Sequence, residues 1–219
     1  MATPHRIDLI REETLHYLLE LPAGEKPDAG WPLLLFLHGA GERGSDFELL
    51  YKHGPLRLVR EGRKFPFIIA APQCPAGNRW RVGSLIRLVD ALVAENPVDS
   101  RRVYVSGISM GGFGTWDLIS EHPERFAAAV PICGGGEFIR AHLQSEEKRE
   151  ALKTLPIWAF HGDADPIVPL SETERMVGLF RHLGNEQIKT TVYPGVGHDS
   201  WTETYASGEV FEWLLKHRR

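Results

Sequence analysis

One segment, residues 102–116, restricts the fold of this 219-residue chain more than any other. It opens with a β-branched and aromatic run, 103–105, that is typical of a buried strand. The sequence G-I-S-M-G follows at 107–111, and a helical pattern begins at Gly112. In a strand–turn–helix of this kind the glycines let the chain pass close to itself, and the serine hydroxyl points out of the sheet as a nucleophile requires. The alternative is a glycine turn that contains a serine by chance, so Ser109 needs support from the rest of the chain.

The bulk composition fits an ordinary globular domain. Hydrophobic residues make up 42% of the chain and charged residues 25%, and the length suits one well-buried core. Residues 1–219 are therefore predicted to form a single domain. A net charge of −4 gives no electrostatic reason to expect a nucleic-acid partner. No apolar run approaches the roughly 20 residues that cross a bilayer, so membrane insertion is not expected.

The N-terminal residues do not resemble a signal peptide. Residues 1–6, MATPHR, are not followed by an apolar segment of the kind that export signals carry. This pattern predicts a cytoplasmic protein if the chain is complete and a secreted one if it is a trimmed domain. The sequence carries no signal for an oligomeric state.

Strand-like runs alternate with helical patterns along the chain. The predicted strands are 14–21, 33–37, 67–71, 103–105, 127–132, 157–160 and 188–193. The predicted helices are 55–61, 84–96, 112–121, 171–184 and 209–217, with a charged, helical surface insertion at 137–153. A capping box, S-E-T-E at 171–174, is expected to open the fourth of these helices. This alternation favours an α/β fold with a mostly parallel, doubly wound sheet.

Four loops of unusual composition each follow directly on a predicted strand. They come after Leu37, Ser106, Phe160 and Tyr193. In sheets of this kind ligands bind beyond the carboxyl ends of the strands, so all four loops are expected to meet at one edge. Because the four segments are far apart in sequence, this convergence is the strongest indication of a shared site.

A serine hydroxyl is a poor nucleophile unless a base removes its proton. His198 is the candidate base, since it follows the last strand and lies downstream of both the serine and the acid. The other histidines lack this context, although His53 lies in a loop that could approach the site. An acid must then orient the imidazole. Asp163 and Asp165 share the turn after strand 157–160, and spacing alone does not separate them or exclude two turn-forming aspartates.

Acyl-transfer chemistry also needs backbone N–H donors for the oxyanion. Met110 follows the candidate nucleophile, and the second donor is expected from the glycine loop after Leu37, with Ala40 first and Gly41 next. The same loop, HGAGERG, could be interpreted as a phosphate cradle. It lacks the G-K-S/T ending of a P-loop and the pattern of a dinucleotide fold, so nucleotide binding is not favoured.

No cofactor or metal is predicted. The chain has ten histidines but no H-E-x-x-H or similar ligand spacing. Its two cysteines, Cys74 and Cys133, are too few for a disulfide framework, and they are expected to be two buried thiols rather than one bridge.

With these motifs the chain resembles the α/β-hydrolase superfamily over nearly its whole length. It is similar to the esterase group that links phospholipase/carboxylesterase-like enzymes with feruloyl-esterase-like and predicted-peptidase proteins. The resemblance rests on LHGAGERGSD, APQCP, GISMGGFGTW, HGDADPIVP and GVGHDSW. It implies an α/β-hydrolase fold of about seven to eight strands, Asp165 as the acid, Asp163 as a loop brace and His38 as a support of the oxyanion loop.

The resemblance implies a serine carboxylesterase that acts on a small ester of short or soluble character, with acetyl, aryl or feruloyl groups as candidates. No long insertion suggests a large lid. Trp80 and Trp201, with Gly41, are expected to line the substrate pocket, and Trp116 to lie in the core. Alternatives that use the same residues are a peptidase, a thioesterase or a carbohydrate deacetylase, and an alternative of another class is a silent binding module.

Overall fold

Seven strands form one sheet in the order β1-β3-β2-β4-β5-β6-β7 in the computed structural model, which describes residues 14–219. The strands are β1 Tyr17–Glu20, β2 Trp31–Leu37, β3 Ile68–Pro72, β4 Val98–Ile108, β5 Ala128–Ile132, β6 Ile157–Gly162 and β7 Ile188–Tyr193. Only β1, at one edge, runs antiparallel to its neighbour. The predicted mostly parallel α/β sheet is confirmed.

Eight α-helices accompany these strands in the described part of the chain, and the last two follow β7. They are α1 Gly54–Arg60, α2 Val82–Glu95, α3 Met110–Glu121, α4 Phe138–His142, α5 Glu146–Thr154, α6 Leu170–His182, α7 Trp201–Ala206 and α8 Glu209–Leu215. Short 3₁₀ turns occupy Ala40–Glu42, Phe47–Tyr51 and Pro123–Arg125. Between β5 and β6 the chain carries only α4 and α5, so there is no large lid. Within residues 14–219, every helix is too short or too polar to span a bilayer.

The apolar run of β2 explains why the sheet is covered on both faces. Successive side chains of a strand point to opposite faces. Leu33, Leu35 and Leu37 accordingly pack in one core cluster, which also contains Trp116. Leu34 and Phe36 pack in a second cluster. All of these side chains are buried, as the unbroken apolar pattern predicts for a strand between two helical layers.

Several boundaries differ from the sequence predictions. The predicted capping box is wrong, because α6 begins at Leu170 after Pro169 and no side chain caps its first turn. Thr173 of that motif instead donates its hydroxyl hydrogen to the Gly134 carbonyl, 2.8 Å away. The exit loop predicted after β7 ends in α7, a helix that the sequence pattern did not indicate. Residues 1–13, including the segment 1–6, lie outside the described residues.

Candidate active site

Ser109 joins β4 to α3 in a strained turn. Its φ of 52° and ψ of −116° lie in a region that non-glycine residues rarely adopt, at a cost of about 1–3 kcal/mol. Cys133 is the other non-glycine residue with positive φ within residues 14–219. The Ser109 N–H donates to the Ile132 carbonyl of β5 across 3.0 Å, which fixes the turn against the neighbouring strand. The chain thus holds this backbone with a direct hydrogen bond to the sheet.

The glycines on either side of Ser109 are required by close backbone approach. A Cβ on Gly107 would overlap the Gly111 carbonyl, and a Cβ on Gly111 would overlap the Leu37 carbonyl at the end of β2. The tight crossing therefore brings the first turn of α3 directly onto the strand that leads into the glycine loop. The glycine motif at 107–111 is thereby a packing requirement as well as a sequence signature.

Three polar side chains from distant loops form one continuous hydrogen-bonded line. His198 Nε2 lies 2.9 Å from the Ser109 hydroxyl oxygen. His198 Nδ1 lies 2.7 Å from Asp165 Oδ2. Because an ionised carboxylate can only accept, Nδ1 carries the proton, and Nε2 is left to accept the serine hydrogen. The Asp165 side chain is fully buried, whereas His198 is 20% exposed.

The two candidate acids have different environments. Burial alone raises the pKa of the Asp165 carboxyl, but hydrogen bonds from His198 and from the backbone N–H groups of Val168 and Ile167 outweigh it and hold the pKa below its usual value. Asp165 therefore stays ionised at neutral pH.

Asp163 instead accepts the Gly195 N–H across 2.6 Å and braces the loop that carries His198. Of the two aspartates, only Asp165 bonds to the His198 imidazole.

His161 is a neighbour of this line that the sequence did not single out. Its ring is fully buried, with Nδ1 2.8 Å from the Thr173 hydroxyl and Nε2 2.9 Å from the Val168 carbonyl. Nε2 also lies 3.3 Å from Asp165 Oδ2. The motif HGDAD contained this histidine four residues before the aspartate, and only the folded turn shows that the two side chains meet.

The predicted oxyanion donors come from two segments, the start of α3 and the loop after β2. Met110 is the first residue of α3, so its N–H has no partner within the helix. Ala40 opens the 3₁₀ turn at the end of β2, where a Cβ built on Gly39 would lie 3.6 Å from Ser109 Cβ. Gly41 is exposed, and a Cβ built on it would have no neighbour within 4 Å. The structure thus brings Gly39 and Met110 to the serine and leaves Gly41 at the rim.

His38 anchors the glycine loop to the sheet. Its Nε2 accepts the Cys74 N–H across 2.9 Å, so the proton sits on Nδ1, 2.6 Å from the Gly39 carbonyl. Burial lowers the pKa of His38 to about 4, although the hydrogen bond to Gly39 opposes this shift. Trp80 adds a second tie, since its indole N–H donates to the His38 carbonyl across 3.1 Å.

A cavity of about 440 Å³ opens beside the serine. Trp80 and Phe113 form aromatic walls, and Ser109 and Met110 lie at one end. Trp201, the other tryptophan expected in the pocket, does not line this cavity. It is buried against the His198 ring, with a centroid separation of 5.2 Å.

One group of possible metal ligands occurs within residues 14–219. Ligand atoms of Cys133, Asp165 and His198 lie within 4.8 Å of one another. Asp165 and His198 already bond to each other. Burial raises the pKa of the Cys133 thiol to about 12. A protonated thiol is a poor ligand, so the donor set does not favour a metal ion. Cys74 and Cys133 are both buried thiols and form no disulfide.

The seven-stranded, mostly parallel sheet with its flanking helices is the α/β-hydrolase fold. The sequence profile of the family described as Phospholipase/Carboxylesterase matches residues 76–211. The chain therefore belongs to the phospholipase/carboxylesterase family.

Individual relatives agree with this family assignment. The solved structure of a thermostable esterase is 35% identical, with a TM-score of 0.76 over 93% of this chain and 59% of that one. A bifunctional acetylxylan esterase/xylanase of Neocallimastix patriciarum is 26% identical over 74% of this chain and 24% of the relative. Acyl-protein thioesterase 1 of Gibberella zeae is 24% identical over 81% of this chain and 88% of the relative. The chain spans about a quarter of the acetylxylan esterase/xylanase, which is a much longer protein.

Proposed function

We propose that this chain is a serine carboxylesterase in which Ser109, His198 and Asp165 form the catalytic triad. The observation that carries the proposal is the unbroken line from the Ser109 hydroxyl through His198 to Asp165, with separations of 2.9 Å and 2.7 Å. Each group has the protonation state that its role requires. Asp165 is an ionised acceptor, and His198 presents a bare Nε2 to the serine hydroxyl.

The geometry supports a two-step reaction. Ser109 Oγ attacks the ester carbonyl while His198 Nε2 takes the hydroxyl proton, and the backbone N–H groups of Met110 and Ala40 stabilise the oxyanion. His198 then gives its proton to the leaving alcohol, and an acyl-Ser109 ester remains. In the second half His198 takes a proton from water, the resulting hydroxide attacks the acyl carbonyl, and Ser109 recovers its proton as the acid leaves. Asp165 stabilises the imidazolium at each stage.

The position of the cavity supports one orientation of the ester. The leaving alcohol must lie beside His198, because that residue protonates it. The cavity is lined by Ser109, Met110 and Phe113, and His198 is not among its lining residues. This favours the cavity as the place of the acyl group and the open side as the place of the alcohol. The size of the cavity and the lack of a large lid support short or soluble acyl groups rather than long lipid chains.

Thioester hydrolysis is the second candidate. The similarity to an acyl-protein thioesterase covers most of both chains, and the same triad would serve a thiol leaving group. A thiol leaves more readily than an alcohol and needs less help from His198. Comparing matched oxygen and sulfur esters therefore separates the two activities.

The test is hydrolysis of p-nitrophenyl esters from acetyl to palmitoyl, and of the matching S-phenyl thioesters, by wild type, Ser109→Ala and Ser100→Ala. Ser100 is exposed at the start of β4 and serves as the control. We expect a peak at short acyl chains, a loss of more than about a thousandfold in Ser109→Ala, and full activity in Ser100→Ala. Activity retained by Ser109→Ala would refute the triad. A kcat/KM at least tenfold higher for thioesters would favour the thioesterase.

A further inference from the structure

The cavity beside Ser109 follows one face of α3. Ser109, Phe113 and Asp117 are spaced four residues apart, so they lie above one another on the helix, and all three line the cavity. The eight residues from Ser109 to Asp117 correspond to about 12 Å of helical rise. Helical side chains lean toward the N-terminus, which brings the Asp117 carboxylate back toward the serine. An acyl group that is attached to Ser109 and extends along this face therefore points at Asp117.

The middle of this path is apolar and rigid. Trp80 is 8% exposed, and its N–H is held by the His38 carbonyl. A Cβ built on Gly114 would lie 3.0 Å from two atoms of Trp80, so the indole packs directly on the helix backbone. Phe113 supplies the second aromatic wall. Such walls accept a planar ring or a short alkyl chain by stacking and area burial.

A carboxylate stands at the far end of this apolar path. Asp117 Oδ1 accepts the Glu137 N–H across 3.2 Å and lies 3.5 Å from Arg140 Nε. Within residues 14–219, Oδ2 makes no hydrogen bond, and the side chain is 19% exposed. Burial raises the pKa of Asp117, although the bond from Glu137 and the charge of Arg140 oppose this shift. One oxygen is thus positioned by the protein and the other is available to a ligand.

The charges around Asp117 determine which ligand it can accept. Arg140 also contacts Glu121 and lies 3.1 Å from Glu137 Oε2, so three carboxylates share one guanidinium. Arg79 also lines the cavity, 4.0 Å from Glu137, and its charge acts on Asp117, although solvent weakens this effect at 82% exposure. Three carboxylates thus face two guanidinium groups, which leaves the far end net negative. It repels an acyl group that ends in a carboxylate and favours one that ends in a hydrogen-bond donor.

We propose that Asp117 is a specificity-determining residue whose Oδ2 accepts a hydrogen bond from a hydroxyl at the distal end of the acyl group. The preferred substrate is an ester whose acyl part places a ring or short chain between Trp80 and Phe113 and a hydroxyl beyond it. This inference rests on the proposed function, because it takes the cavity as the acyl side of Ser109.

The test uses three methyl esters that differ only at the distal position: para-hydroxyphenylpropanoate, para-methoxyphenylpropanoate and phenylpropanoate. The methoxy group matches the hydroxyl in position but cannot donate. Wild-type kcat/KM is expected to be about tenfold higher for the hydroxy ester than for either of the others. Asp117→Leu is expected to lower this ratio to about one, and Asp117→Asn, which keeps an acceptor oxygen, to an intermediate value. The control Asp90→Asn, at a 52%-exposed carboxylate on α2, is expected to keep the wild-type ratio.

Three results would overturn the proposal. One is a wild-type ratio within twofold of one. A second is an equal preference for the methoxy ester, because it would show that the size of the distal group matters rather than its ability to donate a hydrogen bond. This comparison uses wild type alone, so it does not depend on the folding of a variant. A third is a folded Asp117→Leu protein that keeps the full preference. Failure of the proposed function would look different, because wild type would then hydrolyse none of the esters faster than Ser109→Ala.

Discussion

The indole N–H of Trp201 donates a hydrogen bond to Nδ1 of His53 across 3.2 Å. Because an indole can only donate, Nδ1 of His53 carries no proton, and Nε2 faces the buried Glu42 at 3.8 Å. The same indole meets the His198 ring edge-on, with an interplanar angle of 89°. Trp201 therefore links the proposed catalytic base to the loop that follows β2.

Trp201→Phe removes this hydrogen bond but keeps an aromatic ring beside His198. Since a hydrogen bond of this kind contributes about 0.5–1.5 kcal/mol, we expect kcat on p-nitrophenyl acetate to fall about fivefold with little change in KM. His53→Leu, which removes the acceptor, is expected to have a similar effect.

The double variant tests whether the two residues act through one contact. If they do, Trp201→Phe with His53→Leu loses little more activity than either change alone. Losses that multiply would show that the two side chains act independently. His182→Gln, at an exposed histidine in the last turn of α6, is the control and should behave as wild type.

Asp165→Asn and Asp163→Asn form a matched pair in one turn. Asp165→Asn keeps the shape but lets the imidazole take the wrong tautomer, so kcat is expected to fall by about 10⁴. The amide oxygen of Asp163→Asn can still accept the Gly195 N–H, so a loss of less than about fivefold is expected. Steady-state kinetics of both variants checks the ranking, and the reverse order would assign the acid to Asp163.

Much of the fold could be predicted because its signals are local. The apolar run of β2 indicated a strand buried on both faces, and its alternate residues do fill two separate core clusters. The glycine spacing around Ser109 indicated a tight elbow, and the overlap that any Cβ on Gly107 or Gly111 would cause gives the physical reason. The convergence of the loops followed from strand direction alone.

The remaining details depend on contacts between distant segments. The six residues of α7 are too few to show a helical period, and their packing against α1 and α8 keeps them helical. The tryptophan at the start of α7 was expected in the substrate pocket, but its position depends on His53, far away in sequence. His161 lies beside Asp165 only because the HGDAD turn folds back on itself.

Acid destabilises the fold through His38. The folded state binds a proton at this ring only near pH 4, whereas the unfolded chain does so from its ordinary value of 6.5. As the pH falls from 6.5 toward 4 the unfolded state takes up the proton first, so the free energy of unfolding decreases. At pH 5 this loss amounts to about 2 kcal/mol. Urea unfolding of wild type and His38→Gln at pH 7.5 and pH 5 measures it.

We expect wild type to lose about 2 kcal/mol more than His38→Gln between these two pH values. The pKa values of His122 and His217 are also lowered by burial, but both residues contribute equally to the two proteins. An equal pH dependence in wild type and variant would mean that His38 is not the residue that takes up the proton.

Glycines of two kinds occur in this chain, those that contact other backbone closely and those that face open space. Gly111→Ala would drive a methyl group into the Leu37 carbonyl, where neither backbone segment can move without displacing Ser109. We expect a loss of about 3 kcal/mol or more in the free energy of unfolding, with activity lost as well.

Gly178→Ala is the matched control, because this glycine lies within α6 and a Cβ there would have no neighbour within 4 Å. That variant is expected to gain about 0.5–1 kcal/mol from helix propensity and to keep full activity. Urea unfolding of both variants, with esterase kinetics, gives the comparison, and a stable, active Gly111→Ala protein would contradict the close packing of β2 against α3.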